Sequence, residues 1–112
     1  MAINSTDTAY AFGQLGSGFV DTQGLFRPPN GKVIVAITFL ADTTLSGFVA
    51  DTKNSNNSYF SHTAADAGNG SGADNTSSTQ VFPKGLTIYG RWTSVTLASD
   101  DSDGGIICYF GQ

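Results

Sequence analysis

The run Val81-Phe82-Pro83-Lys84-Gly85-Leu86-Thr87-Ile88-Tyr89-Gly90-Arg91-Trp92-Thr93-Ser94-Val95-Thr96-Leu97 decides the fold. Leu86, Ile88 and Trp92 recur at period two with Thr87, Tyr89, Arg91 and Thr93 between them, the pattern of a half-buried strand. Trp92 shares the aliphatic face and is expected in the core. Pro83-Lys84-Gly85 reads as the turn leading into the strand, and Gly90 as the place where it bends. Downstream, Ile106 to Phe110 is a second apolar strand, and the acidic stretch Ser99 to Gly105 reads as the turn joining it to Arg91–Leu97 in a hairpin.

Upstream, Lys32 to Leu40 is apolar on both faces, Val33, Val35, Ile37 and Phe39 on one side and Ile34, Ala36, Thr38 and Leu40 on the other. That predicts a central strand. Thr44 to Ala50 is a weaker strand whose interior Gly47 suggests a bulge or a close backbone approach. Shorter strands are expected at Tyr10–Leu15 and Ser58–His62, while Phe19-Val20 follows a turn or bulge and Leu25-Phe26 leads into Arg27 to Gly31. Turns separate them at Gly13 to Gly18, at Asp21 to Gly24 and at Asn30-Gly31, which follows Pro28-Pro29.

Composition agrees with an all-β chain. All nine acidic residues are Asp, and Ser, Thr, Asn and Gly abound, residues that settle in turns rather than helices. The 112 residues suit one domain, able to bury roughly two-thirds of its unfolded surface without disulfides. We expect a single antiparallel β-sandwich or jelly-roll-like barrel of about eight short strands over residues 1–112. Residues 1–9 are read as an extended polar arm and residues 63–79 as a long surface loop.

Charge and motifs exclude several functions. The net charge is −4, and Arg27, Lys32, Lys53, Lys84 and Arg91 are scattered, so no basic patch suits nucleic acid or an anionic membrane. The longest apolar run, Val33 to Ala41, is too short to span a bilayer, and no apolar segment follows Met1 as an export signal would require. The lone Cys108 sits in an apolar run and reads as core filler. His62 has no partner at metal-ligand or catalytic spacing. The glycines at 13, 16 and 18 lack the strand–helix context of a phosphate loop. No enzyme and no cofactor are expected. Asp100, Asp101 and Asp103 resemble part of a calcium loop, but Phe110 stands where the bidentate Glu belongs, so they form a weak calcium candidate within an acidic turn.

Phe82-Pro83-Lys84-Gly85-Leu86-Thr87-Ile88-Tyr89-Gly90-Arg91-Trp92-Thr93 and the closing Gly104-Gly105-Ile106-Ile107-Cys108-Tyr109-Phe110-Gly111 carry a likeness. Together they resemble the closing strands of small virion structural proteins of marine tailed bacteriophages, cyanophages among them. Ala2 to Asp7 with Phe12 to Gly18, and Val35 to Thr44, look similar to the same group. The resemblance implies a virion component and supplies no catalytic residue.

Two functions are expected from it. The first is a capsid decoration or cement protein on the surface of the virion, assembled in the host cytoplasm. Its partners would be the major capsid protein and copies of itself, as a trimer by preference or a dimer. Contact candidates are Asn4, Ser5, Thr6, Asp7 and Tyr10 in the arm, Tyr59, then Ala67, Asn69 and Asn75 in the loop, and Tyr89 and Arg91 on the long strand. The second is a carbohydrate-binding or adhesion module of a tail fibre or spike, with Trp92, Tyr89 and Tyr59 as stacking platforms.

Overall fold

A computed structural model describes residues 14–51, 60–61, 76–100 and 104–112. Its seven strands are β1 (Ser17–Val20), β2 (Gly24–Phe26), β3 (Val33–Phe39), β4 (Thr43–Ala50), β5 (Val81–Phe82), β6 (Thr87–Leu97) and β7 (Ile106–Gly111). All pairings are antiparallel, in one sheet of order β1-β7-β3-β6-β4-β5, with β2 beside the C-terminal part of β6. No helix occurs among the described residues.

The long strand is the hub, as its alternation suggested. β3 pairs with its N-terminal half, Thr87 to Trp92, while β4 pairs with its C-terminal half, Trp92 to Leu97. The Phe39 N–H donates to Leu86 O at 2.9 Å and the Ala98 N–H to Thr44 O at 3.2 Å. A straight strand would hold Leu86 and Ala98 about 40 Å apart. The chain from Phe39 to Thr44 reaches at most about 18 Å. β6 is therefore bent, and the sheet folds over on itself.

Register shifts supply the bend. Ile34 faces Trp92 but Ala36 faces Tyr89, leaving an extra residue on β6 at Gly90-Arg91. A second shift lies between Val49 and Ala50, opposite Ser94 and Trp92. Bulges of this kind sharpen twist and let one strand serve two halves of a sheet. Gly47 behaves as its position suggested: the ladder shifts between Leu45 and Gly47, and a Cβ there would lie 2.9 Å from Thr96 Oγ1.

The strand leads in through a β-turn. The Leu86 N–H donates to Pro83 O at 3.2 Å, and Gly85 takes φ 86° at the third position, which a side chain would disfavour. Asp42 Oδ1 accepts the Lys84 N–H at 2.8 Å and tethers the turn to the β3–β4 connection.

The concave side holds the core. Ile34, Ile37 and Phe39 from β3, Leu45 and Phe48 from β4, Trp92, Val95 and Leu97 from β6, and Ile106, Cys108 and Phe110 from β7 are all buried in it. Phe48 stacks on Trp92 at 5.0 Å and Phe39 on Phe82 at 4.8 Å. Such pairs contribute about 0.5–1.5 kcal/mol beyond their buried area. The indole N–H of Trp92 donates to Phe60 O at 2.9 Å, so the polar end of the ring is satisfied inside the core.

Several expectations need correcting. The hairpin between Arg91–Leu97 and Ile106–Phe110 does not form: β7 lies between β1 and β3. Both edges of the C-terminal half of β6 are already occupied, by β2 and β4. β7, apolar on both faces, fits a central place instead. The faces of β3 are also not those of strict alternation. A bulge around Val35, seen as the shift from Ile34↔Phe110 to Ala36↔Tyr109, brings Ile34 to the same side as Ile37 and Phe39.

Seven strands stand among the described residues where about eight were expected. Gln14 lies in a turn, and Leu15, its N–H bonded to Phe110 O, precedes β1 rather than belonging to a strand. Phe60 and Ser61 are not in a strand either. The arm at 1–9 and all of the 63–79 loop except its last four residues lie outside the described residues. That last stretch is tied down where Thr76 donates its N–H to Ser61 O at 2.9 Å.

Candidate interaction surfaces

The outer face of the half-sheet made by β1, β7, β3 and β6 is set by its register. One row across it reads Ser17, Tyr109, Ala36, Tyr89, and the next reads Phe19, Ile107, Thr38, Thr87. Directly paired residues share a face, so Tyr109 and Tyr89 flank Ala36 from the two neighbouring strands. Strands about 4.8 Å apart place the bases of these tyrosines about 10 Å from each other, with only a methyl group between.

The result is an open cleft of about 510 Å³ between Tyr89 and Tyr109, floored by Ala36, Thr38 and Thr87 and bordered by Gln14 and Ser17. Tyr89 is 72% exposed, the largest exposure of any large apolar or aromatic side chain described. The Thr38 and Thr87 hydroxyls bond to each other at 2.9 Å across the floor. None of the described residues lining the cleft is charged.

A second surface sits at the edge of the sheet. β1 ends the strand order, and Phe19 on β1 and Leu25 on β2 are 59% and 56% exposed. The connection carrying them is fixed at three places. Asp100 Oδ1 accepts the Gln23 N–H at 2.6 Å. Gly105, at φ 121°, packs so closely that a Cβ would lie 2.6 Å from Val20 O. Phe26 stacks on Phe110 with ring centroids 6.0 Å apart. Two apolar side chains are thus held out to solvent on an anchored segment, the reverse of what burial favours.

Of the residues read from sequence, Tyr89 is the one that reaches a cleft. Arg91 is engaged within the chain: its Nε lies 3.4 Å from Asp51 Oδ2, and its Nη1 donates to the Gln112 carbonyl. Asp51 is buried and Arg91 partly so, and the Asp51 N–H bonds back to Arg91 O, which ties the end of β4 to β6. Trp92 is fully buried and offers no face to a ligand. Asp100 serves the Gln23 contact, while Asp101 and Asp103 lie outside the described residues. Asn4, Ser5, Thr6, Asp7, Tyr10, Tyr59, Ala67, Asn69 and Asn75 lie outside them as well.

Cys108 is buried and its thiol is pushed up to about 12 by desolvation, which suits packing rather than reactivity. Among the described residues no three His, Cys, Asp or Glu side chains gather as a metal site would require, and no helix is long and apolar enough to cross a membrane.

Phe19, Leu25, Ala36 and Tyr109 were not singled out by sequence. Only register could have revealed the pairing of Tyr109 with Ala36, whereas the alternation of Ile107 and Tyr109 with Cys108 and Phe110 did carry the signal of a second, outward face. No protein-family model matches this chain, no curated protein matches it, and no solved structure matches its fold.

Proposed function

We propose that this chain is a virion structural protein of a tailed bacteriophage, a capsid decoration protein that docks on the major capsid protein and strengthens the head. The resemblance of residues 82–93 and 104–111 to such proteins is one support. The observation that carries the reading is the exposed pair Phe19 and Leu25 on an anchored connection beside the edge strand β1. Each of these side chains is a little more than half exposed, so covering it contributes on the order of 1–2 kcal/mol, too little for tight single-site binding. Repeated over a lattice of identical sites, with neighbouring copies in contact, the same modest contact gives firm attachment.

In this reading the protein has no catalytic role and no cofactor. It acts on the outer surface of the capsid after assembly in the host cytoplasm. The bent sheet is a small β-sandwich or jelly-roll-like barrel, and copies associate as trimers. Among the described residues β1 is an edge strand, and its outer edge offers backbone groups for strand addition by the capsid protein or by the arm of a neighbouring copy. Replacing both Phe19 and Leu25 by Asp should abolish decoration of purified expanded shells of the parent phage, counted as copies bound per shell. Full occupancy by that variant would remove the ridge from the mechanism.

A further inference from the structure

We infer that the cleft between Tyr89 and Tyr109 is a saccharide-binding subsite that takes one pyranose ring of a neutral glycan. This inference does not rest on the capsid reading, because its ligand is a free sugar and the residues that would hold it are other than Phe19 and Leu25.

The geometry supplies the two things that a pyranose requires. A sugar ring has C–H faces that pack on aromatic rings and a rim of hydroxyl groups that each need a partner. Contact at about 3.5–4 Å on either side of a ring calls for walls some 7–8 Å apart. Tyrosines rising from β6 and β7 on either side of β3 start about 10 Å apart, which leaves room for one ring between them. Ala36 makes this possible. As the residue paired with both tyrosines it would fill the slot if it carried a longer side chain.

The floor then meets the rim of the sugar. Each threonine hydroxyl has one proton and two lone pairs, so the Thr38–Thr87 bond uses one proton and leaves the other free to donate, with lone pairs still able to accept. Gln14 and Ser17 at the border add an amide and a further hydroxyl. The absence of charge among the described lining residues selects a neutral ligand over a phosphate or a uronic acid. The exposure of Tyr89, which would otherwise place an aromatic ring in water, is what a stacking platform needs before its ligand arrives.

The test is a titration of the full chain, followed by amide NMR shifts, with maltotriose, cellotriose, chitotriose and galactose, and with adenosine as a planar aromatic control. At least one sugar should give saturable shifts centred on Ser17, Ala36, Thr38, Thr87, Tyr89 and Tyr109. Binding should weaken about tenfold or more in Tyr89→Thr and in Ala36→Leu. A Val81→Thr variant, altered at an exposed position on β5, should bind as the parent does. Because Tyr89 is mostly exposed, its variant keeps the test sharp even if Ala36→Leu disturbs the sheet. No saturable shift with any of the sugars up to about 20 mM would overturn the inference. So would shifts elsewhere, undiminished binding by Tyr89→Thr, or binding of adenosine alone.

Discussion

The four strands β1, β7, β3 and β6 show two faces built on one ladder. On the inner face, Ile106 and Phe39 share one row, Cys108, Ile37 and Ile88 the next, and Phe110, Ile34 and Trp92 a third. On the outer face the intervening rows mix aromatic, aliphatic and hydroxyl groups: Phe19, Ile107, Thr38 and Thr87, then Ser17, Tyr109, Ala36 and Tyr89. The inner rows interlock with the opposite half of the bent sheet, so each side chain there answers to many neighbours. The outer rows answer to fewer, and their composition is free to serve recognition. A solvated antiparallel face is ordinarily polar, so aromatic and aliphatic groups retained here mark it as more than a covering.

Substitutions can break or sharpen that contrast. The largest effect is expected from Phe39→Ala, which removes a fully buried ring stacked on Phe82 and should cost about 3–5 kcal/mol, read as a lower urea midpoint at unchanged slope. A loss below about 1 kcal/mol would mean that the inner face is no more constrained than the outer.

Cys108 comes next. Its thiol is protonated in both states below 9.0, so its contribution is intact there. Between 9.0 and about 12 the unfolded chain releases the proton first and native stability falls. The loss relative to Cys108→Ala should approach about 1.4 kcal/mol per pH unit. In native protein near pH 8 a thiol reagent should react with Cys108 only through unfolding. Parallel pH curves for parent and variant, together with immediate labelling, would show that the inner row is open to water. The smallest effect belongs outside: Phe19→Thr and Tyr89→Thr should each shift stability by no more than about 0.5 kcal/mol, since both side chains are mostly exposed and Thr keeps strand preference.

What could be read from the amino-acid order follows the same division. β3 declared itself by being apolar on both sides, and Trp92 by sharing the period of Leu86 and Ile88; each is a local signal of burial. The partner of β7 had no local signal, because a strand such as Ile106–Gly111 satisfies any central position and its pairing with β3 joins residues far apart in sequence. The place of Ile34 was hidden by the bulge near Val35, which changes phase without changing a single letter of the pattern. Tyr89 was legible as an outward aromatic. Its companion Tyr109 was not, since their relation exists only through Ala36 on the strand between them. The ridge of Phe19 and Leu25 was illegible for a similar reason: short strands of this kind leave open which side meets water, and the contacts that anchor the segment come from Asp100 and Gly105.

The position of β7 between β1 and β3 also bears on how the chain comes to be folded during synthesis. Among the described residues β1 pairs in the sheet with β7 alone, which a ribosome adding about 5–20 residues per second produces roughly 5–18 s later. Through that interval β1 and one side of β3 lack the strand that pairs with them among the described residues. The chain that precedes β7 can collapse but cannot complete the described sheet. A cell making this protein in quantity thus holds a pool of nascent chains with an exposed β-edge. Slow codons before Ile106 would lengthen that exposure and favour aggregation, whereas rapid completion of the last strand would end it.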